Sequence, residues 1–86
     1  MSPADRERPH RRGERVTIRW PGGPYDFVVL FDHAETSTLP GWEGWLTVTG
    51  PCVEPAGPRR RSVRSFFVRR VAGAERTYAL LPRREG

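Results

Sequence analysis

"YDFVVLF", residues 25–31, decides the fold. Read with the two-residue period of a strand, Tyr25, Phe27, Val29 and Phe31 share one face, and Val28 and Leu30 share the other. A strand apolar on both faces does not suit an open ribbon with one side in water. It calls for a sheet that curls and closes on itself. Outward from this run the pattern repeats. Val16-Thr17-Ile18-Arg19-Trp20 alternates, with Val16, Ile18 and Trp20 on one face. Trp45 to Val48 forms a third run and leads into Gly50-Pro51, where a bend or bulge is expected because proline cannot donate to a ladder. Val63 to Val71 is the longest run, Ala72-Gly73-Ala74-Glu75 reads as a hairpin turn, and Thr77 to Leu81 closes the series. Gly and Pro, nine of each, cluster between the runs, and no ten-residue stretch without one of them has a helical period. The segment from Asp32 to Gly44 has room for one short helical turn.

Five strands joined by short turns and one longer loop predict an all-β, five-stranded antiparallel small barrel over residues 15–82. The order of runs and the long second loop, over residues 14–82, resemble the SH3-like small barrels; an OB-like barrel is the rival. That resemblance implies an aromatic at the barrel rim that grips a peptide or a base. Residues 1–14, polar and charged with two prolines, are expected to form a flexible N-terminal arm, and residues 83–86 a short tail.

Composition narrows the function classes. Eighty-six residues allow one small domain, which buries only about 60–65% of its unfolded surface, so each large apolar side chain matters. Cys52 is the only cysteine, which precludes an internal disulfide and a Cys-based zinc cluster and fits a reducing cytoplasm. There is no 18-residue apolar run and no apolar signal segment, so no membrane partner is expected. Every one of the fifteen basic residues is arginine, and lysine, asparagine and glutamine are absent. Codons for the missing residues are AT-rich, so a GC-rich bacterial genome explains the bias. Arginine number therefore says little, and arginine position has to carry the inference.

Position is informative. Residues 1–15 hold five arginines and three acids, residues 16–57 one and five, and residues 58–86 nine and two; the segment charges of +2, −4 and +7 sum to the net +5. An acidic middle and a basic C-terminal third mark a face for an acidic partner, or a solvated strand that offsets acidic neighbours. In "GPRRRSVRSFFVRRVAG", residues 57–73, six arginines surround Phe66, Phe67 and Val68. Arg59, Arg60 and Arg61 occupy a proline-flanked loop, and Arg64, Arg69 and Arg70 continue along the strand as a basic ribbon with Phe66 available between them. Phosphate contacts with a stacking element between them have this composition. Without asparagine or glutamine, adenine reading is disfavoured, so contacts to phosphate or to guanine are expected. A dimer presenting two ribbons would add specificity.

Two other features bear on function. "LPGWEGWLTV", residues 39–48, places Trp42 and Trp45 at a loop–strand junction; Trp45 is expected in the core, and Trp42 either at the surface or folded over a barrel end. Asp32, His33, Glu35 and Ser37 supply fragments of acid–base chemistry within one loop, but a triad needs groups converging from different elements. No catalytic residues, metal, cofactor or small-molecule substrate are inferred. The expected function is non-enzymatic nucleic-acid binding, DNA favoured over RNA, in a regulatory or accessory role in the cytoplasm. The alternative is a protein-interaction module built on the acidic middle segment and the Trp42 loop.

Overall fold

The computed structural model describes residues 6–7, 10–55 and 62–81, of which residues 6–7 are described by their backbone alone. Among these residues are seven strands: β1 (Arg6–Glu7), β2 (Arg15–Arg19), β3 (Phe27–Leu30), β4 (His33–Thr36), β5 (Trp45–Glu54), β6 (Val63–Arg70) and β7 (Thr77–Leu80). No described residue is helical, and the long loop holds β4 where a helical turn had room.

Five strands close the barrel in the cyclic order β2-β3-β5-β6-β7, returning to β2. The expectation of a wholly antiparallel barrel needs one correction. Neighbours from β2 to β7 run antiparallel, but β7 closes against β2 in parallel, pairing Ile18 with Tyr78. The reason is parity. Five strands alternating in direction must bring the first and last together pointing the same way.

Alternation builds the core. β2 buries Val16 and Ile18, β3 buries Phe27 and Val29, β5 buries Leu46, Val48 and Cys52, and β6 buries Phe66 and Val68, with Tyr78 of β7, Phe31 and Ala34 completing it. Each of the larger apolar side chains contributes about 1.5–3 kcal/mol by leaving water. Trp20 and Leu80 lean on this core from one end. The β2–β3 and β6–β7 connections turn at Gly22 and Gly73. The amide of Gly23 donates to the Trp20 carbonyl (2.9 Å) and that of Ala74 to the Val71 carbonyl (3.2 Å). Positive φ at Gly22 (77°) and Gly73 (75°) is what such turns ask of their third residue.

β5 continues as a strand through Gly50-Pro51 with its register to β6 unbroken, so no bulge falls against β6 there, and the break in pairing lies on its other side. β4 pairs with its first half, ending at His33 opposite Thr49, and β3 with its second half, beginning at Val29 opposite Cys52. Pro51 thus falls in a gap between two partners, where its missing N–H leaves no ladder bond unmade. The register shift lies further on, between Val28 and Val29, which face Glu54 and Cys52; the skipped residue, Val53, is buried next to buried Cys52. At the break, Phe31 bonds elsewhere: its amide donates to the Glu14 carbonyl and its carbonyl accepts from Gly13, both at 2.8 Å.

Those bonds tie the described part of the expected arm to the barrel. Residues 6–7 pair with β4, Arg6 opposite Glu35, and residues 10–14 lie against the barrel. His10 sits edge-on to Phe31 (5.2 Å) and Tyr78 (5.8 Å), and its Nε2 is hydrogen-bonded to the Tyr78 hydroxyl (2.7 Å). Residues 10–14 hold no aliphatic side chain that could anchor them. His10 serves instead, because its ring covers aromatic edges while a nitrogen meets the hydroxyl. The expected tail, 83–86, lies outside the described residues.

Candidate nucleic-acid interface

β6 alternates, and the alternation divides the expected ribbon. Phe66 and Val68 point into the core, so Arg64 and Arg70 flank them on the inner face at opposite ends of the strand. Ser65, Phe67 and Arg69 occupy the outer face. Phe66, expected at the surface, is buried with its ring 5.0 Å from that of Phe27, and the half-exposed aromatic is Phe67. Two adjacent phenylalanines carry no parity signal of their own, which is why sequence alone reverses the assignment. Arg59, Arg60 and Arg61 lie outside the described residues.

The outer face holds a cluster that sequence reading places elsewhere. Trp45 does not enter the core, because Leu46 and Val48 take the inward positions of β5. Its ring stacks on Phe67 (5.2 Å, 19° between planes), and Trp42 meets both edge-on, at 5.6 Å and 5.4 Å. Trp42 is thus half-buried within an external aromatic cluster and plugs no barrel end. The Arg69 guanidinium lies 5.9 Å from the Trp45 ring centre. Register continues the row: Trp45 faces Arg69, Arg69 faces Ala79, and Ala79 faces Arg19 of β2 across the closing parallel pair. Arg19 and Arg69 are therefore two strand spacings apart, about 10 Å, on either side of a small residue. Nothing in the sequence marks Arg19, since only the closing register brings it here.

At the β2–β3 end, the Arg64 guanidinium rests 5.1 Å from both the Phe27 and Phe66 ring centres. It overlooks an open groove of about 410 Å³ lined by Trp20, Phe27, Arg64, Phe66, Phe67 and Leu81, among others. The groove follows from pairing. β5 covers one edge of β6 from Val63 to Arg69, whereas β7 covers the other edge only from Val68 to Arg70. Trp20 forms its wall, stacked on Phe27 (5.7 Å, 24°) and edge-on to Tyr25 (5.8 Å).

Four of the five acids of the middle segment, Asp26, Asp32, Glu43 and Glu54, are engaged without β6. Asp26 accepts from the Trp20 amide (3.2 Å) and Glu43 from the Gly41 amide (3.1 Å). Asp32 pairs with Arg12 (2.7 Å) and Glu54 with Arg15 (3.8 Å), while Glu35 lies opposite Arg6. Among the described residues, neither Arg64 nor Arg69 pairs with a carboxylate. Their cross-strand neighbours are Gly50, Trp45 and Ala79, all uncharged.

Asp32 and His33 make one local pair. The carboxylate can only accept, so His33 Nδ1 carries the proton it donates to Oδ2 at 2.7 Å. That bond first, and the Arg12 hydrogen bond after it, hold the Asp32 carboxyl below its ordinary range. The Ser37 hydroxyl accepts from the Leu39 amide (3.3 Å), so the fragments are engaged separately. Cys52 is buried, with its thiol donating to the Glu54 carbonyl (3.2 Å). Among the described residues no three metal-ligating side chains converge, and no helix is long and apolar enough to cross a membrane. Comparisons with protein families, with curated proteins and with solved structures find no match to this chain.

Proposed function

We propose that this protein binds nucleic acid without catalysing a reaction on it, tracking the backbone along β6 and the loop before it, with DNA as the favoured target. The supporting observation is where uncompensated charge lies. Mutational bias scatters arginines, and scattered arginines settle beside acids, as Arg12, Arg15 and Arg76 do with Asp32, Glu54 and Glu14. Arg64 and Arg69 instead lie over aromatic rings, and uncharged residues face them. A guanidinium held on a ring keeps its N–H groups for a phosphate and avoids the cost of ordering a loose side chain. The row Arg19–Ala79–Arg69–Trp45 adds a second cation and a stacking surface.

Arginines on a backbone do not themselves distinguish duplex from single strand. The test is a gel-shift titration with random-sequence duplex and single-stranded DNA and RNA across a salt series. Binding should weaken steeply with salt, and Arg19→Ala with Arg69→Ala should weaken it further while the melting temperature holds. Salt-independent binding, or none at low salt, would turn attention to the protein-interaction reading. That reading would have to work through Leu39 and the Trp42 loop, although the Trp42 ring is already engaged by its neighbours.

A further inference from the structure

We infer that the groove beside Arg64 receives one unpaired base of a bound strand, so that the protein prefers single-stranded nucleic acid to duplex; this rests on the nucleic-acid reading above. Its lining is largely apolar: Trp20, which packs with Phe27 and Tyr25, together with Phe27, Phe66, Leu80 and Leu81. At about 410 Å³ it falls within the roughly 300–1,000 Å³ of ligand sites. Among the described residues its only charged lining residue is Arg64, a cation with no described carboxylate near it. A neutral apolar peptide would leave that guanidinium facing apolar atoms. A nucleotide suits both parts, with the base against the apolar lining and the phosphate on Arg64.

Continuity with the outer face supports the same occupant. Phe67 both lines the groove and stacks on Trp45, next to Arg69. A strand tracking the arginine row thus passes the groove mouth and can turn a base into it. A base stacked within a duplex cannot enter, because it would first have to unpair. The sugar plays no part in this fit, so DNA and RNA single strands should both enter.

The experiment is fluorescence titration with oligothymidylate, oligouridylate and a random duplex of equal length. Wild type should bind both single strands about tenfold or more tighter than duplex and show a tryptophan quench that is smaller in Trp20→Phe, the remainder coming from Trp45. Arg64→Ala and Leu81→Glu change exposed positions and should keep the fold, yet each should cost single-strand affinity about tenfold and reduce the preference over duplex. Arg69→Ala should weaken single strand and duplex alike. Equal affinity for the two forms, with Arg64→Ala and Leu81→Glu binding as wild type does, overturns the groove assignment and leaves the backbone-binding function standing. Absence of binding by every nucleic acid at low salt removes the function itself. A quench by an uncharged extended peptide, with none from oligonucleotides that bind, would make the groove a peptide cleft and likewise overturn the assignment.

Discussion

Gly50 carries a constraint that its neighbours conceal. In sequence, Gly50-Pro51 reads as a break, and the strand nonetheless continues through it. The glycine is needed because the chain crosses Leu30 there: a Cβ at position 50 would collide with the Leu30 carbonyl oxygen and crowd the Val29 side chain (3.1 Å). The obstacle is backbone and cannot swing aside, so Gly50→Ala must push the β3–β4 junction away from β5. Overpacking of this kind costs about 1–3 kcal/mol, or roughly 4–24 °C of melting temperature in a domain this size. Gly41→Ala is the control, since the space around its Cβ is open and only its φ of 86° resists. Thermal melts of the two variants should differ with Gly50→Ala the lower; equal melting temperatures would show that the junction yields freely. The same scale limits what sequence can assign. Parity within β2 is legible because polar and apolar residues alternate there. In β6 the run Phe66-Phe67-Val68 is apolar on both faces, and only the core contact between Phe66 and Phe27 decides which ring turns inward.

The elements hidden from sequence are those held by few bonds to the barrel. All five barrel strands are legible as β-branched and aromatic runs between Gly/Pro clusters. β4, His33-Ala34-Glu35-Thr36, is not, because one buried alanine is its whole apolar content, and it is a strand chiefly because β5 is long enough to pair with two partners. Residues 10–14 dock by a histidine, which no hydrophobic pattern flags. Deleting residues 1–13 should therefore lower the melting temperature, since Phe31 loses the Gly13 bond and Tyr78 loses its His10 cover. The same segment should respond to acid. Burial first, and Arg76 and Arg70 after it, lower the His10 pKa below its ordinary 6.5, while Glu14 and Glu75 oppose them. The docked segment thus disfavours the protonated ring. Its contribution to stability is complete above about pH 6.5 and is lost as pH falls through the lowered value. His10→Gln, which cannot titrate, should flatten the fall in melting temperature between pH 7.5 and 5. Parallel curves for the two proteins would place the acid response elsewhere, although Asp32, whose carboxyl is lowered, acts only in a more acidic range.

For the whole molecule, closure is legible from a strand apolar on both faces, and its parallel direction follows from the count of five, but the register of the closing pair is not legible, and the outer row depends on that register. Arg19 and Arg69 are fifty residues apart and meet across Ala79 only because the fifth strand closes on the first in that register. The resulting charge map separates two populations of arginine, and salt dependence can tell them apart. Each duplex phosphate that a variant no longer neutralises should reduce the log–log salt slope by about 0.9. Arg19→Ala with Arg69→Ala should lower it by about 1.8, and Arg59→Ala, Arg60→Ala and Arg61→Ala together by up to about 2.7 if each meets one phosphate. Arg12→Ala with Arg15→Ala removes the same formal charge as the first pair, but from residues already paired with Asp32 and Glu54. Their removal frees two carboxylates and should leave the slope nearly unchanged, with at most a uniform weakening from long-range repulsion. Measured slopes that fall equally for both pairs would show that the strand responds to net charge alone and that no face has been built for it. A slope that falls only for the row and the loop would locate the phosphate path on β6 and its neighbours.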